Sequence, residues 1–168
     1  MKEAILQVAN LMCLAVRTAP KARGIDNLAS KIVTGDEKGV LAKKMKEIGK
    51  REQSHTFLRD AENIQQADCV VLTGTKFSPL DLRICGLCGY KNCAEAKEKG
   101  GICIFNPGDL GIALGSAVSV ASLHHVENRV MYTAGYAAVE LKFLGEEIKL
   151  AFGIPLSATG KNPFFDRK

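Results

Sequence analysis

The pattern of this sequence predicts one domain of strands and helices, a sheet covered by helices, and three observations carry that prediction. Short apolar runs of strand length alternate with segments of helical periodicity along the chain. No internal repeat breaks the alternation. Apolar residues make up 46% and charged residues 24% of 168, an ordinary globular balance with enough chain to bury a sizeable core.

The first element is an amphipathic helix over residues 2–18, with Ile5, Val8, Met12, Ala15 and Val16 on one stripe, closed by Ala19-Pro20. Leu28–Val33 reads as a strand. Thr34 and Glu37 then form a capping-box pattern ahead of a helix whose stripe is Val40/Leu41, Met45 and Ile48. Ser54 or Thr56 opens the next helix, with Phe57, Leu58, Ala61 and Ile64 inside. Cys69-Val70-Val71-Leu72 is a buried strand. A helical turn at Cys93–Lys99 and a strand at Ile102–Phe105 follow, the strand broken by Asn106-Pro107-Gly108. Asp109 is expected to cap a helix through Leu123, in which Gly111, Gly115 and Ser119 recur every four residues as a flat face. Strand Arg129–Thr133, helix Gly135–Leu144 and strand Ile148–Ile154 complete the alternation. The tail beyond Gly160 is basic, with Phe164 and Phe165 expected to be exposed.

Charge is unevenly spread. Residues 1–50 hold ten Lys/Arg against five Asp/Glu, and the remainder balances at thirteen against thirteen, so the net +5 lies in the first third. A solvated helix face explains most of that excess, and an anionic partner, such as a flavin phosphate or an acidic redox protein, fits it too. Few aromatics and no recognition motif set nucleic acid aside. No run reaches the roughly 18 apolar residues of a membrane span, and no secretory signal is seen, so the expected location is cytoplasmic. No paired carboxylates and no nucleophile–histidine pair stand out, which leaves hydrolysis unsupported. His55 near a helix start reads as exposed and polar. His124 and His125 suit a helix C-terminus, because adjacent residues point to different sides of a helix.

The densest chemistry is in residues 83–108. Cys85, Cys88, Cys93 and Cys103 fall in the pattern C-x2-C-x4-C-x9-C, four thiols within nineteen residues. A reducing location argues against two disulfides. One thiolate-bound metal centre fits better: a [4Fe–4S] cluster, with structural zinc as the alternative. Zinc knuckles pair two C-x2-4-C units, and only the first pair here has that spacing. Cys13 and Cys69 lie in apolar helix and strand segments and read as core.

The Cys85-Gly86-x-Cys88-Gly89-x-x-x-Cys93 run resembles the start of a [4Fe–4S] module, although Cys103 comes earlier than that module's fourth ligand. With the Asp109–Ala121 helix, it makes the whole chain similar to a family of uncharacterised ferredoxin-domain proteins. Outside the cysteines, the order of elements resembles the nitroreductase superfamily, which binds FMN in homodimers. The resemblance rests on Ala19-Pro20-Lys21-Ala22-Arg23-Gly24, Ile32–Glu37, Ala67–Leu72, the Asp109 helix, Val130–Gly135 and Gly153-Ile154-Pro155-Leu156. It implies one α+β, nitroreductase-like domain over residues 1–168, a mixed sheet flanked by helices, with 83–108 as a four-cysteine iron–sulfur insertion. It also implies FMN against the turn Thr133, Ala134 and Gly135, its phosphate held by Lys21 or Arg23 and by Lys161 or Arg167. A homodimer through the Asp109–Leu123 helix and a redox partner protein follow from the same resemblance. The function so implied is iron–sulfur electron transfer, either in a small flavin-linked oxidoreductase or as a carrier or sensor without turnover. The superfamily's N-terminal arginine motif has no counterpart ahead of the first helix.

Overall fold

Successive residues of the two central strands point into two different cores, and that alternation organises the chain. The computed structural model describes residues 1–165. Its elements run α1 (Lys2–Thr18), a 3-10 turn (Ala22–Gly24), β1 (Leu28–Val33), α2 (Gly35–Arg51), α3 (His55–Gln66) and β2 (Cys69–Lys76). They continue with α4 (Cys93–Glu98), α5 (Phe105–Leu123), β3 (Glu127–Asn128), α6 (Tyr132–Glu140) and β4 (Ile148–Ser157).

The strands pair in the order β1-β2-β4-β3, and every pairing is antiparallel. The sheet is therefore not mixed. In β2 and β4 the register sets Cys69 opposite Leu156 and Val71 opposite Ile154. Those four side chains pack with Met12 and Val16 of α1 and Leu110, Ala113 and Ala117 of α5. Val70 and Leu72 point the other way, into a second core with Leu41 and Met45 of α2, Ile64 of α3 and Ala134 and Ala137 of α6. Period-2 strands against period-3.6 stripes give one helical layer on each face. No helix among the described residues is long and apolar enough to cross a membrane.

Three sequence expectations fail in this part of the chain, each for a local reason. Ile102–Phe105 is no strand: α5 begins at Phe105, and Asn106-Pro107-Gly108 is its first turn. Proline belongs in a first helical turn, where its missing N–H would have had no partner anyway. Asp109 consequently caps nothing; its carboxylate accepts the backbone N–H of Ala22 at 3.1 Å. Arg129–Thr133 is also no strand: Met131 alone bridges Gly153, and α6 starts at Tyr132.

Smaller departures follow the same logic of tertiary partners. Thr34 has extended N-cap geometry but makes no side-chain cap bond, and Glu37 pairs with Lys31 at 2.6 Å. Phe164, expected outside, is buried among the α2, α3 and α6 side chains. Arg129 donates to its carbonyl at 2.9 Å and lies over the exposed Phe165 ring.

Candidate redox site

Residues 77–104 leave the end of β2 and return to α5, and they are tied down before the first cysteine. Asn106, wholly buried, clamps Ser78 at both backbone groups: Oδ1 accepts its N–H at 2.9 Å and Nδ2 donates to its carbonyl at 3.0 Å. Arg23 donates from its guanidinium to the Leu80 carbonyl at 2.6 Å, and Leu80 is itself buried. Lys97 of α4 reaches Asp81 at 2.8 Å. Three elements thus hold the base of the segment that carries the thiols.

Within the segment, Cys85 and Cys88 flank a tight turn closed by Gly89 N–H to Gly86 C=O at 3.0 Å. Gly89 has φ +87, a conformation that suits glycine. Cys93 is the first residue of α4, whose N-cap Asn92 accepts the Glu95 N–H at 2.9 Å. Glu95 in turn accepts the Lys91 N–H and pairs with Lys99; both lower its carboxyl pKa, the Lys99 bond more strongly. The Tyr90 ring lies so close over Gly101 that a Cβ there would meet its Cε2 at 2.3 Å. That packing fixes the Cys88–Cys93 turn against the approach to Cys103, which is buried one turn ahead of α5.

All six cysteines are free thiols, so no disulfide competes for them. Among the described residues, no three Cys, His, Asp or Glu side chains converge on one point. The four sulfurs are gathered on one anchored segment without being closed on a common centre. As a donor set they suit a thiolate-bound metal centre: four reduced cysteines, three of them half-exposed, on glycine turns. Cys13 and Cys69 differ in kind. Cys69 is fully buried in β2, and burial pushes its thiol up to about 12. Burial also raises Cys13, against a hydrogen bond to Ser30 that lowers it. Thiols held neutral in this way are poor ligands.

Among the described residues, those expected to contact FMN do not meet around one ligand. Lys21 Nζ is buried and donates to the Val16, Arg17 and Ala19 carbonyls at 3.1, 2.8 and 2.9 Å, closing the C-terminus of α1. Arg23 is engaged with Leu80. Thr133, Ala134 and Gly135 are not an open turn but buried residues of α6. Thr133 Oγ1 donates to the buried Asp60 of α3 at 2.7 Å. A Cβ on Gly135 would sit 1.8 Å from the Ala151 carbonyl oxygen, so the close approach that this glycine permits is to β4. Helix α6 also lies on the opposite face of the sheet from α1 and α5. Lys161 is exposed in the tail, and Arg167 lies outside the described residues. Lys21, Arg23, Thr133, Ala134 and Gly135, as placed here, do not fit FMN within the single chain.

Sequence reasoning missed Asn106 and the cleft beside the cysteines. Asn106 precedes a proline and reads as a strand breaker, and only the fold shows it as a buried clamp. The cleft, about 640 Å³, is lined by Arg83, Ile84, Cys85, Leu87, Lys91 and Phe105 among others.

The fold is nitroreductase-like. It is similar to a nitroreductase with bound FMN from Desulfitobacterium hafniense, with TM-score 0.62 and 15% identity over 92% of this chain and 78% of that one. It is also similar to the NADPH:FMN oxidoreductase of Vibrio harveyi, with TM-score 0.59 and 12% identity over 96% of this chain. The chain spans 63% of the length of that enzyme. At such identities the likeness is one of fold. The chain belongs to a family described as uncharacterized proteins containing a ferredoxin domain, matched over residues 99–167. Of the four clustered cysteines that match includes Cys103. An uncharacterized protein of Archaeoglobus fulgidus is 36% identical, covering 98% of this chain and 92% of its own length.

Proposed function

We propose that this chain is an iron–sulfur electron-transfer protein built on a nitroreductase-like fold. Cys85, Cys88, Cys93 and Cys103 are the proposed ligands of a [4Fe–4S] cluster. One observation carries the reading: four free thiols lie on a single segment whose base is clamped by Asn106, Arg23 and Lys97. The family's ferredoxin-domain description supports it. One-electron chemistry is what such a cluster supplies. The chain's own residues supply the thiolates and a fixed base beneath them. Closure of the four sulfurs on one centre is part of the proposal, since metal binding and local folding are coupled.

Single Cys→Ser variants, purified without oxygen and assayed for iron, test the assignment. Loss of iron at positions 85, 88, 93 and 103, and retention at 13 and 69, is expected. Iron lost from Cys69→Ser but kept by Cys103→Ser overturns the ligand set. Zinc in the same site is the second reading, favoured by the four-thiol donor set alone.

The same proposal makes the protein a homodimer through α5. One face of that helix packs on α1. On the other, a Cβ at Gly108, Gly111 or Gly115 would meet nothing within 4 Å. Ile112 and Leu123 of α5 and Leu11 and Leu14 of α1 are exposed as well. A second copy laid there would bury them at close backbone approach. Linkage to a flavin is supported by the FMN-bound nitroreductase of the same fold, but no step is assigned to FMN in this chain.

A further inference from the structure

The cations of the first third are mostly occupied. Lys31 pairs with Glu37, Lys44 with Glu47 and Glu140, and Arg17 with Asp26. Lys38 donates to the Gln65 and Ala67 carbonyls, and Lys21 to those closing α1. The anion-binding potential suggested by composition is thus spent on the fold itself. Beside the cysteines the situation is reversed. Lys97 and Lys99 are paired with Asp81 and Glu95, yet Arg83 and Lys91 have no side-chain partner among the described residues. Both line the cleft that contains Cys85.

Between these two charges the surface is apolar. Ile84 is 87% exposed and Leu87 69%, on the turn between and around the first two cysteines. Ile102 and Ile104, near Cys103, are about half exposed. Large aliphatic side chains that project from a tight turn into water contribute nothing to the two cores. They make sense when another surface covers them.

We infer that the 83–91 turn is the docking surface for an acidic one-electron carrier protein, an inference that rests on the proposed iron–sulfur reading. Ile84 and Leu87 form the dry centre of the contact. Arg83 and Lys91 flank it and steer carboxylates of the carrier toward Cys85. Electron-transfer encounters are small and transient, so one turn with two cations is of the right scale. Cys85, Cys88, Cys93 and Cys103 would hold the iron–sulfur centre, which would take one electron from the reduced carrier and leave the carrier oxidised by one electron, with no bond made or broken. A nucleic acid is disfavoured because the aromatic residue of the turn, Tyr90, has its ring packed over Gly101 rather than offered to a base. A lipid surface is disfavoured because the apolar residues sit on a turn, with no amphipathic helix to lie in the interface.

The test uses the full chain purified anaerobically, with its iron counted, and a small acidic ferredoxin as probe. Binding is measured by calorimetry at low and at raised salt. We expect binding that weakens as salt rises, and at least a tenfold loss of affinity in the Arg83→Glu/Lys91→Glu double variant. Lys43→Glu, which reverses a cation on α2, is expected to leave binding unchanged. Should the double variant lose its iron, carbodiimide cross-linking of the unmodified protein to the ferredoxin replaces it, with Lys91 as the expected linked residue. Iron-loaded protein that ignores the ferredoxin, binds it equally with both charges reversed, or links through α2 overturns the docking surface. So does binding of anionic vesicles in place of the ferredoxin. Protein without iron that still binds through Lys91 instead overturns the iron–sulfur reading and leaves the surface standing.

Discussion

Replacing Gly135 by alanine separates the packing role that the structure gives this glycine from the flavin-contacting role that its sequence neighbourhood implies. An added Cβ would lie 1.8 Å from the Ala151 oxygen, 2.2 Å from its carbonyl carbon and 2.5 Å from the Phe152 nitrogen. All three are backbone atoms of a central strand, so no flexible side chain can move aside. Ordinary contact needs α6 to retreat from β4 by roughly 1.5 Å. That loosens Thr133, Ala134, Ala137 and Ala138, the residues α6 buries. Overpacking of this kind costs about 1–3 kcal/mol and more when backbone is the obstacle. Helix propensity returns up to about 1 kcal/mol for Gly→Ala. With backbone as the obstacle the cost lies at the top of that range or above it, so a net loss of about 2 kcal/mol or more lowers Tm by at least roughly 4–8 °C in a chain of this size. Differential scanning calorimetry reads it, with Gly39→Ala as the control. Gly39 is exposed in α2 with nothing within 4 Å of a new Cβ, so that variant should gain about 2–4 °C. A Gly135→Ala protein that melts like the unmodified one, while losing affinity for added FMN, refutes the packing account.

Gly115→Leu should leave each chain folded, because a Cβ added there meets nothing within 4 Å, while converting the proposed dimer to monomer by light scattering. A monomer before substitution would sink the dimer. Asn106→Ala strands both backbone groups of Ser78 and should cost about 1–3 kcal/mol per group left unpaired, read as a lower urea midpoint; an unchanged midpoint contradicts the clamp. The raised Cys69 thiol gives a pH signature. In the unfolded chain it ionises near its ordinary value, so stability conferred by the neutral buried form is complete below about 9 and is lost as pH rises toward about 12. Cys69→Ala should flatten that decline in Tm between pH 9 and 12, and an identical slope would show that another group causes it.

Legibility in the sequence tracked how local the deciding physics was. The stripe of α1, the buried run of β2 and the pattern of α2 and α3 needed only periodicity, and the structure shows them close to where that places them. The errors cluster where a distant partner decides. Ile102–Phe105 has strand-like composition, but Asn106 is held by Ser78 across 28 residues, and the chain turns into a helix instead. Lys21 and Arg23 look like phosphate ligands because their charge is visible and their partners, helix carbonyls and Leu80, are not. Thr133–Gly135 has the sequence of an open turn and the burial of a core, since Gly135 is matched to the backbone of Ala151. The clustering of the four cysteines is visible in the sequence as spacing. Their surroundings are not: the free pair Arg83 and Lys91 vanishes in an average over the chain.

The central claim is that four thiolates hold an iron–sulfur cluster, and metal and sulfide analysis with a visible spectrum on anaerobically purified protein tests it most directly. The account predicts brown protein with about four iron and four acid-labile sulfide per chain, a broad absorption that bleaches on reduction, and loss of that colour in Cys93→Ser. Colourless protein carrying about one zinc per chain, or no metal at all, contradicts it.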